Sequence, residues 1–330
     1  MELELPAPYT ARPYRGRPDH PEMARVLGAY REYEGEPEQP TAAQLDVGYA
    51  NLVNCDPDRD IALVHDAEGR LVSYVRASYE DVGDGTRDLV VFAPTDPDHI
   101  AEPLFEALVD GSERHMLPWA EGLSRARFRG YSPHPGPGEE AAGEARWWEE
   151  RGYVAAHFWA SLVRPHLDDV PDLPLPDGVE VRPVEEQHLR PIWEAHQEAF
   201  RGEWDWHEPT EEEYVEFVDD PLRDTSLWKI AWSGDEVVGQ VKSFVNDEEN
   251  EGRGYLRGYT ENISTHADWR GRGIAGALLA MSLRELRDRG LEQAALGADT
   301  DSPGGAFHLY TRLGFELQAY GAVYERDLPR

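Results

Sequence analysis

The sequence predicts an α/β (α+β) protein made of two tandem domains. Predicted strands and helices alternate along the chain, and a proline-rich acidic run at residues 163–184 interrupts any regular hydrophobic period. The predicted elements before this run also repeat, in weaker form, the order of those after it. We therefore predict a first domain at residues 1–165, a linker at 166–178 and a second domain at 179–330, each of ordinary domain size.

The second half has the clearer pattern of the two. It begins with a strand at residues 179–183 and ends with a strand pair at 315–326. In between we predict helices at 185–200 and 210–218, a hairpin at 226–245, a polar loop at 246–255, a strand at 256–265, a helix to about residue 289, a strand at 291–299 and a helix at 305–313.

The first half repeats this outline without one feature. A hairpin is predicted at residues 59–81, a strand at 88–94, a helix at 99–115 and a closing helix and strand at 144–165. Where the second half has a glycine-rich loop before its long helix, the first half has "FAPTDPDHIAEP", with proline and aspartate in place of arginine and glycine. An internal duplication is indicated, in which one copy lacks the loop.

The formal net charge of −33 limits which kinds of molecule the protein is expected to bind. Binding of nucleic acid needs clustered lysine and arginine, so we expect no nucleic acid partner. No apolar run is long enough for a membrane span and no signal peptide is evident, so we expect a cytoplasmic protein with no membrane partner. The charge indicates either solubility alone or, less strongly, attraction of cationic small molecules such as amines.

The stretch "WRGRGIAGALL" at residues 269–279 predicts a phosphate-binding helix start. The first N–H groups of a helix are unpaired and carry partial positive charge, and the glycines at 271, 273 and 276 would allow a close approach. A P-loop is excluded because Ala277 and Leu278 stand where lysine and serine or threonine would be required. A dinucleotide-binding G-x-G-x-x-G remains the formal alternative, with Asp299 as its acid, but the strand before the loop is polar and too little chain follows for a Rossmann sheet.

The loop "RGRGIA" and the later segment "SPGGAFHLYTRLGF" together resemble the GNAT superfamily of acyl-CoA N-acetyltransferases. The family pattern is Arg/Gln-x-x-Gly-x-Gly/Ala followed by Asn-Pro-x-x-Ala-x-x-Leu-Tyr-x-x-x-Gly-Phe, and the two-domain layout resembles that of mycothiol synthases. The resemblance implies two tandem GNAT folds, each with a mixed, mostly antiparallel central sheet flanked by helices on both faces. It implies acetyl-CoA (coenzyme A) as the cofactor, bound once per chain in the second domain.

The same resemblance implies how the cofactor is held. The backbone around Ile263, Ser264 and Thr265 would position the pantetheine and thioester. Ser302 stands at the usual asparagine position. The pyrophosphate would be held by the loop residues Arg270, Gly271, Arg272, Gly273, Ile274 and Ala275.

Two residues are the candidates for proton transfer. Tyr310 matches the family tyrosine that donates a proton to the coenzyme thiolate. Glu261 is the candidate base, since it lies two residues before Ile263 with the same side-chain parity. His266 is an alternative base, or else a capping residue at the end of the strand.

The loop between the first two helices of the second domain is the expected acceptor site. Its residues Glu203, Trp204, Trp206 and His207 could surround a cation with acidic and π-face contacts. No metal site is expected, because "HEPTE" is not H-E-x-x-H and the other histidines are scattered.

The expected function is direct acetyl transfer, in a ternary complex, to a primary amine of a small molecule by a monomer or homodimer. The rival hypothesis is a non-catalytic acyl-CoA-binding or scaffold protein with the same fold. An aminosugar, an amino acid, a polyamine, a peptide N-terminus and a thiol all remain open as acceptors.

Overall fold

The computed structural model describes residues 1–36, 38–82, 85–204, 206–300 and 306–328. The chain forms two compact units, the first from Met1–Trp159 with Ala319–Arg330 and the second from Ala160–Gln318. The predicted boundaries at residues 165 and 179 stay a prediction of how the chain is organised into domains. Among the described residues, no helix combines the length and apolarity that a bilayer crossing requires.

The first unit opens with a short strand and three helices and then builds a sheet. Its elements are β1 (Thr10–Pro13), α1 (His20–Glu34), α2 (Ala42–Ala50), α3 (Pro57–Asp60), β2 (Ile61–His65), β3 (Leu71–Asp81), β4 (Arg87–Phe92), α4 (Glu102–Met116), β5 (Ala126–His134), α5 (Glu144–Glu150) and β6 (Val154–Arg164), which ends in the second unit. The neighbouring pairs from β1 to β4 are antiparallel, whereas β4 and β5 are parallel.

Helices cover both faces of this sheet because buried residues alternate along its strands. Leu63 and Leu71 pack in one cluster with residues of α1, such as Met23. Their neighbours Val64 and Val72 pack in another cluster with Leu104 and Leu108 of α4. Successive strand residues point to opposite faces, so α1 and α4 lie on opposite sides of the sheet.

The second unit follows the predicted element order closely. Its elements are β7 (Glu180–Val181), α6 (Leu189–Ala199), α7 (Glu211–Asp219), β8 (Lys229–Ser233), β9 (Glu236–Val245), α8 (Asp247–Arg253), β10 (Arg257–Thr265), α9 (Ile274–Asp288), β11 (Gln293–Asp299) and α10 (Ala306–Arg312). The pairs from β7 to β10 are antiparallel, and β10 and β11 are parallel.

Two adjacent residues of β9 show that this sheet is also covered on both faces. A Cβ on Gly239 would lie 2.6 Å from Ile274 Cγ2, so only glycine allows α9 to pack this closely. The next residue, Gln240, faces the other way and donates a hydrogen bond to the carbonyl of Ile192 in α6 at 3.2 Å.

The last strand, β12 (Glu316–Asp327), differs from prediction. We expected a pair of strands at residues 315–326, but the segment is one continuous strand. Its part from Tyr320 to Asp327 pairs antiparallel with β5 in the first unit. Gly321 permits close packing rather than a turn, since a Cβ there would lie 2.0 Å from the Trp159 ring.

One further segment differs from expectation. The predicted polar loop at residues 246–255 contains α8, whose N-cap is the Asn246 side chain, which accepts a hydrogen bond from the Glu249 N–H at 3.1 Å. In the proline-rich run, Leu167 is buried, and Arg284 of α9 donates to the carbonyl of Pro171 at 2.9 Å.

Candidate functional site

The glycine-rich loop forms an open start to α9. Gly271 and Gly273 have φ values of 75° and 83°, in the left-handed region, and Gly273 is the N-cap of the 15-residue helix. A Cβ at either position would meet no described atom within 4 Å. Among the described residues, the space at both glycines is therefore open, next to the first N–H groups of α9 and the positive end of its helix dipole.

The two arginines of the loop have different surroundings. Arg270 donates through Nη2 to the carbonyl of Ala199, at the end of α6, at 2.7 Å, and its Nη1 lies 3.8 Å from Glu203 Oε1. Arg272 donates to the carbonyl of Asp268 at 2.9 Å, and its guanidinium lies over the Trp269 ring at 4.6 Å. Both arginines are exposed, so each adds positive charge at the mouth of the loop.

The third glycine has a packing role. We expected Gly276 to help a ligand approach, but it is buried, and a Cβ there would lie 3.3 Å from Leu309 and 3.6 Å from Leu173. Ile274 is likewise buried in the core, which leaves its backbone N–H as the group available to a ligand. The glycine brings α9 against neighbouring side chains of the same unit.

The parallel pair β10 and β11 separates where the candidate base lies. Ladder pairing ends at Tyr259 and Ala295. Beyond it, the Glu261 carboxylate crosses the gap and accepts a hydrogen bond from the Gly297 N–H at 2.9 Å. A side chain thus replaces backbone pairing at the point where the strands diverge.

A β-bulge in β10 changes which side chains share a face. Glu261 pairs with Lys242 and Ser264 pairs with Gln240. Between these two pairs β10 advances by three residues and β9 by two, so β10 contains one extra residue. Asn262, inside the bulge, has a φ of 51°. The prediction that Glu261 and Ile263 have the same parity is therefore wrong, because the extra residue places Ser264 on the face of Glu261.

Tyr310 lies close to the same gap. It is on α10, its side chain is only 6% exposed, and its ring packs edge to face against Phe315 with centroids 6.2 Å apart. Burial raises the pKa of the Tyr310 hydroxyl well above its ordinary value, and the negative charge of Glu261 raises that pKa further. The structure thus brings the two candidate proton-transfer residues together.

A buried polar cluster beside this gap was missed in the sequence. His196 Nδ1 and Ser264 Oγ are 3.2 Å apart, and Gln240 donates to the same oxygen at 3.0 Å. Burial lowers the pKa of Lys242 to about 7, while burial and the Lys242 charge lower the pKa of His196 to about 3. The signal was "GQVKS", since Gln240 and Lys242 alternate as polar residues along an otherwise apolar strand.

The predicted acceptor loop lies between α6 and α7. Glu203 lies near Arg270, as described, and Trp204 is 39% exposed. Trp206 carries the Arg201 guanidinium over its ring at 4.8 Å, and His207 Nε2 lies 2.6 Å from Glu213 Oε1 at the start of α7. Glu203 thus lies beside the glycine-rich loop, and a cation cage made by all four residues stays a prediction.

Two remaining candidates have simpler outcomes. His266 caps the short turn after β10, where its Nδ1 accepts a hydrogen bond from the Asp268 N–H at 3.3 Å, which agrees with the capping alternative. Ser302 lies outside the described residues.

Comparison with known proteins places this geometry in a family. Residues 189–315 match the model of the Acetyltransferase (GNAT) family. A mycothiol acetyltransferase of Catenulispora acidiphila is 27% identical over 161 residues, which are 48% of this chain and 51% of that protein. This chain therefore matches about half the length of that curated relative.

Solved structures show the same fold over nearly the whole chain. A GCN5-related N-acetyltransferase from Sphaerobacter thermophilus superposes with a TM-score of 0.70 at 22% identity, over 98% of this chain and 96% of that one. A tandem GNAT protein from the clavulanic acid biosynthesis pathway gives 0.65 at 13% identity, over 100% of both chains. The predicted fold class, two tandem GNAT folds with mixed, mostly antiparallel sheets, is confirmed, and the segment 189–315 of the second unit matches the GNAT acetyltransferase family.

Proposed function

We propose that the second unit transfers an acetyl group from acetyl-CoA directly to a primary amine of a small molecule, in a ternary complex. One observation carries the proposal: the Glu261 carboxylate spans the gap between β10 and β11 and its charge raises the pKa of Tyr310, in the same unit whose helix α9 begins at the glycine-rich loop. Similarity to a mycothiol acetyltransferase supports acetyl transfer as the reaction class.

The residues of this unit fit an acyl-CoA. The space in front of Gly271 and Gly273 is open, and the N–H groups at the start of α9 can donate to pyrophosphate oxygens. Arg270 and Arg272 add charge at the same mouth. In the bulge, the backbone of Asn262 and Ile263 does not pair with β9. These backbone groups can therefore hydrogen-bond an extended amide chain such as pantetheine. Acetyl-CoA supplies the acetyl thioester.

Glu261 is positioned to accept a proton. A primary amine has a pKa near 10 and arrives as an ammonium ion, which must lose a proton before its nitrogen can attack a carbonyl. The Glu261 carboxylate is held at the strand gap by the Gly297 N–H, and it has a second oxygen to offer. It accepts the proton directly or through one water molecule.

Tyr310 is coupled to that step through charge. While Glu261 is ionised, its negative charge raises the pKa of Tyr310 and makes the phenol a weaker proton donor. When Glu261 accepts the amine proton, this cause of the shift disappears. Tyr310 then donates more readily to the departing sulfur, so the order of the two proton transfers follows from the proximity of the two residues.

The acceptor is expected to bind on the side of Glu203 and the polar cluster at Ser264. Glu203 supplies a negative charge near the mouth, partly balanced by Arg270. His196 is buried with a lowered pKa, so it is neutral near pH 7 and can exchange hydrogen bonds with Ser264 without adding positive charge against an ammonium group. An ammonium acceptor would therefore meet a neutral imidazole here, and Lys242, whose pKa is lowered to about 7, is the basic group of the same cluster.

The test is release of coenzyme A thiol from acetyl-CoA in the presence of a panel of amines. Gly273→Glu should raise the KM for acetyl-CoA at least tenfold, because a carboxylate would stand before the N–H groups that hold the pyrophosphate. Gly254→Glu is the matched control, since Gly254 also has a left-handed φ, of 72°, with no described atom within 4 Å of its Cβ position.

Three outcomes would overturn the proposal. If coenzyme A does not bind the intact protein, or if both glutamate variants behave alike, the loop is not the phosphate site. If acyl-CoA binds tightly but no amine causes thiol release, the non-catalytic acyl-CoA-binding protein replaces the enzyme.

A further inference from the structure

The first unit contains a cavity of about 480 Å³ where β4 and β5 separate. Parallel pairing of these strands ends at Val90 and Arg129. The chain from residue 90 to 95 and Tyr131 of β5 then line the opening, with residues of α1 and α4 around it. The volume lies within the range of sites that hold small organic ligands.

Acidic groups outnumber basic groups in the cavity wall. Two arginines line it, and each already has a partner: Arg31 lies 3.4 Å from Glu38, and the Arg76 guanidinium lies over the Phe92 ring at 5.0 Å. The wall also contains five glutamates, which are Glu34, Glu36, Glu38, Glu80 and Glu144. Carboxyl groups therefore outnumber guanidinium groups around the cavity.

Two residues one turn apart on α5 are deeply buried polar groups of this wall. Glu144 is 6% exposed, and the Tyr30 hydroxyl is 3.4 Å from both of its carboxylate oxygens, which is long for a hydrogen bond. Trp148 is 3% exposed, and no described residue accepts a hydrogen bond from its indole N–H. Buried polar groups are normally satisfied, so this wall lacks partners that a ligand would supply.

The electrostatics of the carboxylates agree with that geometry. Burial raises the pKa of Glu144 to about 7, against the opposing effect of the Tyr30 hydrogen bond. Burial also raises the pKa of Glu34 well above its ordinary value, and the charges of Glu36 and Glu144 raise it further. A cation placed among these groups would favour their ionised forms.

The rest of the wall is apolar and aromatic. Leu104, Phe105 and Leu108 of α4 form one side, and Trp159 lies on another, where its indole N–H donates to Glu36 at 2.6 Å. Rings beside carboxylates suit an organic cation, because the ring faces and the acids both attract positive charge.

The same cavity is unsuited to an anion such as a pyrophosphate. The turn before α4 carries Asp96 and Asp98. Glu102 is in the first turn of α4, and Pro103 removes one of the N–H groups that would bind a phosphate. The acidic start of α4 would therefore repel a phosphate group, whereas the start of α9 would attract one.

We infer that the cavity of the first unit is a binding site for a small organic ammonium ion with an apolar or aromatic body. The ammonium group lies against Glu144 and Glu34, and a polar atom of the ligand accepts from the Trp148 N–H. This inference goes beyond acetyl transfer and stands independently of the reaction in the second unit.

The test is calorimetric titration of the full chain with three probes of one shape: 3-phenylpropylamine, 3-phenylpropanol and 3-phenylpropanoate. The amine should bind at least tenfold more tightly than the alcohol, and the carboxylate more weakly than either. Glu144→Gln should abolish that preference, whereas Glu149→Gln, at an exposed site on the same helix, should preserve it.

A second variant guards against misfolding. Ala101 is an exposed residue that lines the cavity and is the N-cap of α4, so Ala101→Trp should block the site without disturbing the core. Equal affinity for the three probes, or no amine binding at 10 mM, would overturn the inference. So would amine binding that survives Glu144→Gln and Ala101→Trp but is lost in Glu203→Gln, because the amine would then occupy the second unit.

Discussion

Tyr310→Phe removes a single buried hydroxyl and separates catalysis from stability. The phenol lies near Glu261, and both burial and that charge raise its pKa, so it gives up its proton to a thiolate only with difficulty. General acid help is worth about 10²–10⁴ in rate, and a weak acid belongs at the lower end. We expect kcat to fall about a hundredfold, which corresponds to about 2.7 kcal/mol of activation free energy.

The matched control is Tyr259→Phe, which removes another buried tyrosine hydroxyl of the same unit. The Tyr259 hydroxyl donates to the Glu249 carboxylate of α8 at 2.7 and 2.8 Å. Losing a hydrogen bond to a charged group costs about 1.5–3 kcal/mol of stability. We expect this variant to be less stable with nearly unchanged kcat, and Tyr310→Phe to be slow with its stability changed by less than about 1 kcal/mol.

The assay is thiol release at saturating acetyl-CoA and amine, with urea denaturation of each variant. If Tyr310→Phe keeps its rate within threefold of the parent while remaining folded, Tyr310 has no role in proton donation. If both variants lose rate and stability in parallel, the rate loss has a structural origin and the assignment of Tyr310 as the acid fails.

Two further predictions concern buried charges, one in each unit. Lys242 has a pKa lowered to about 7, so the unfolded chain binds more protons than the folded one between about pH 7 and 10.5, and the free energy of unfolding should rise with pH across that window. Lys242→Met should remove that rise, which is on the order of 4 kcal/mol, and should raise the pKa of His196, as urea denaturation across pH and NMR titration of the ring would show. A flat profile in the parent protein would contradict this. Fully buried Arg129 pairs with buried Asp88 and with Glu325. Arg129→Met should destabilise the first unit by about 3 kcal/mol, at the lower end of the cost of breaking a buried ion pair, because Arg127 still pairs with both carboxylates. An unchanged urea midpoint would show that the network contributes little.

Much of the second unit followed from local patterns. The helix at α9, the hairpin of β8 and β9 and the strand β11 were predicted because periodicity and turn residues act over short distances. The loop of Gly271 and Gly273 was likewise predictable, since left-handed glycines before an apolar helix leave a local signature. These elements required no knowledge of what packs against them.

The errors came where a long-range contact decided the outcome. The segment 315–326 was predicted as two strands, yet it is one strand, and at Gly321 the Trp159 ring occupies the space where a side chain would be. The prediction that the side chains of Glu261 and Ile263 share a face was wrong because β10 contains a bulge. A bulge can be recognised only by comparing the residue pairing of the strand with its neighbouring strand. The buried cluster of His196 and Lys242 joins a helix to a strand distant in sequence, and no local window contains both.

The sequence alone determined the tandem α/β organisation, the family resemblance and the asymmetry between the loops that precede α4 and α9. Tertiary structure alone decided that Glu261 crosses the gap to Gly297, that Tyr310 lies within reach of its charge, and that five glutamates converge on one cavity in the first unit. The physical reason is the distance along the chain between the residues that interact. Helix periods, caps and glycine turns depend on residues a few positions apart, whereas a pKa shift or a cavity depends on groups that only folding brings together.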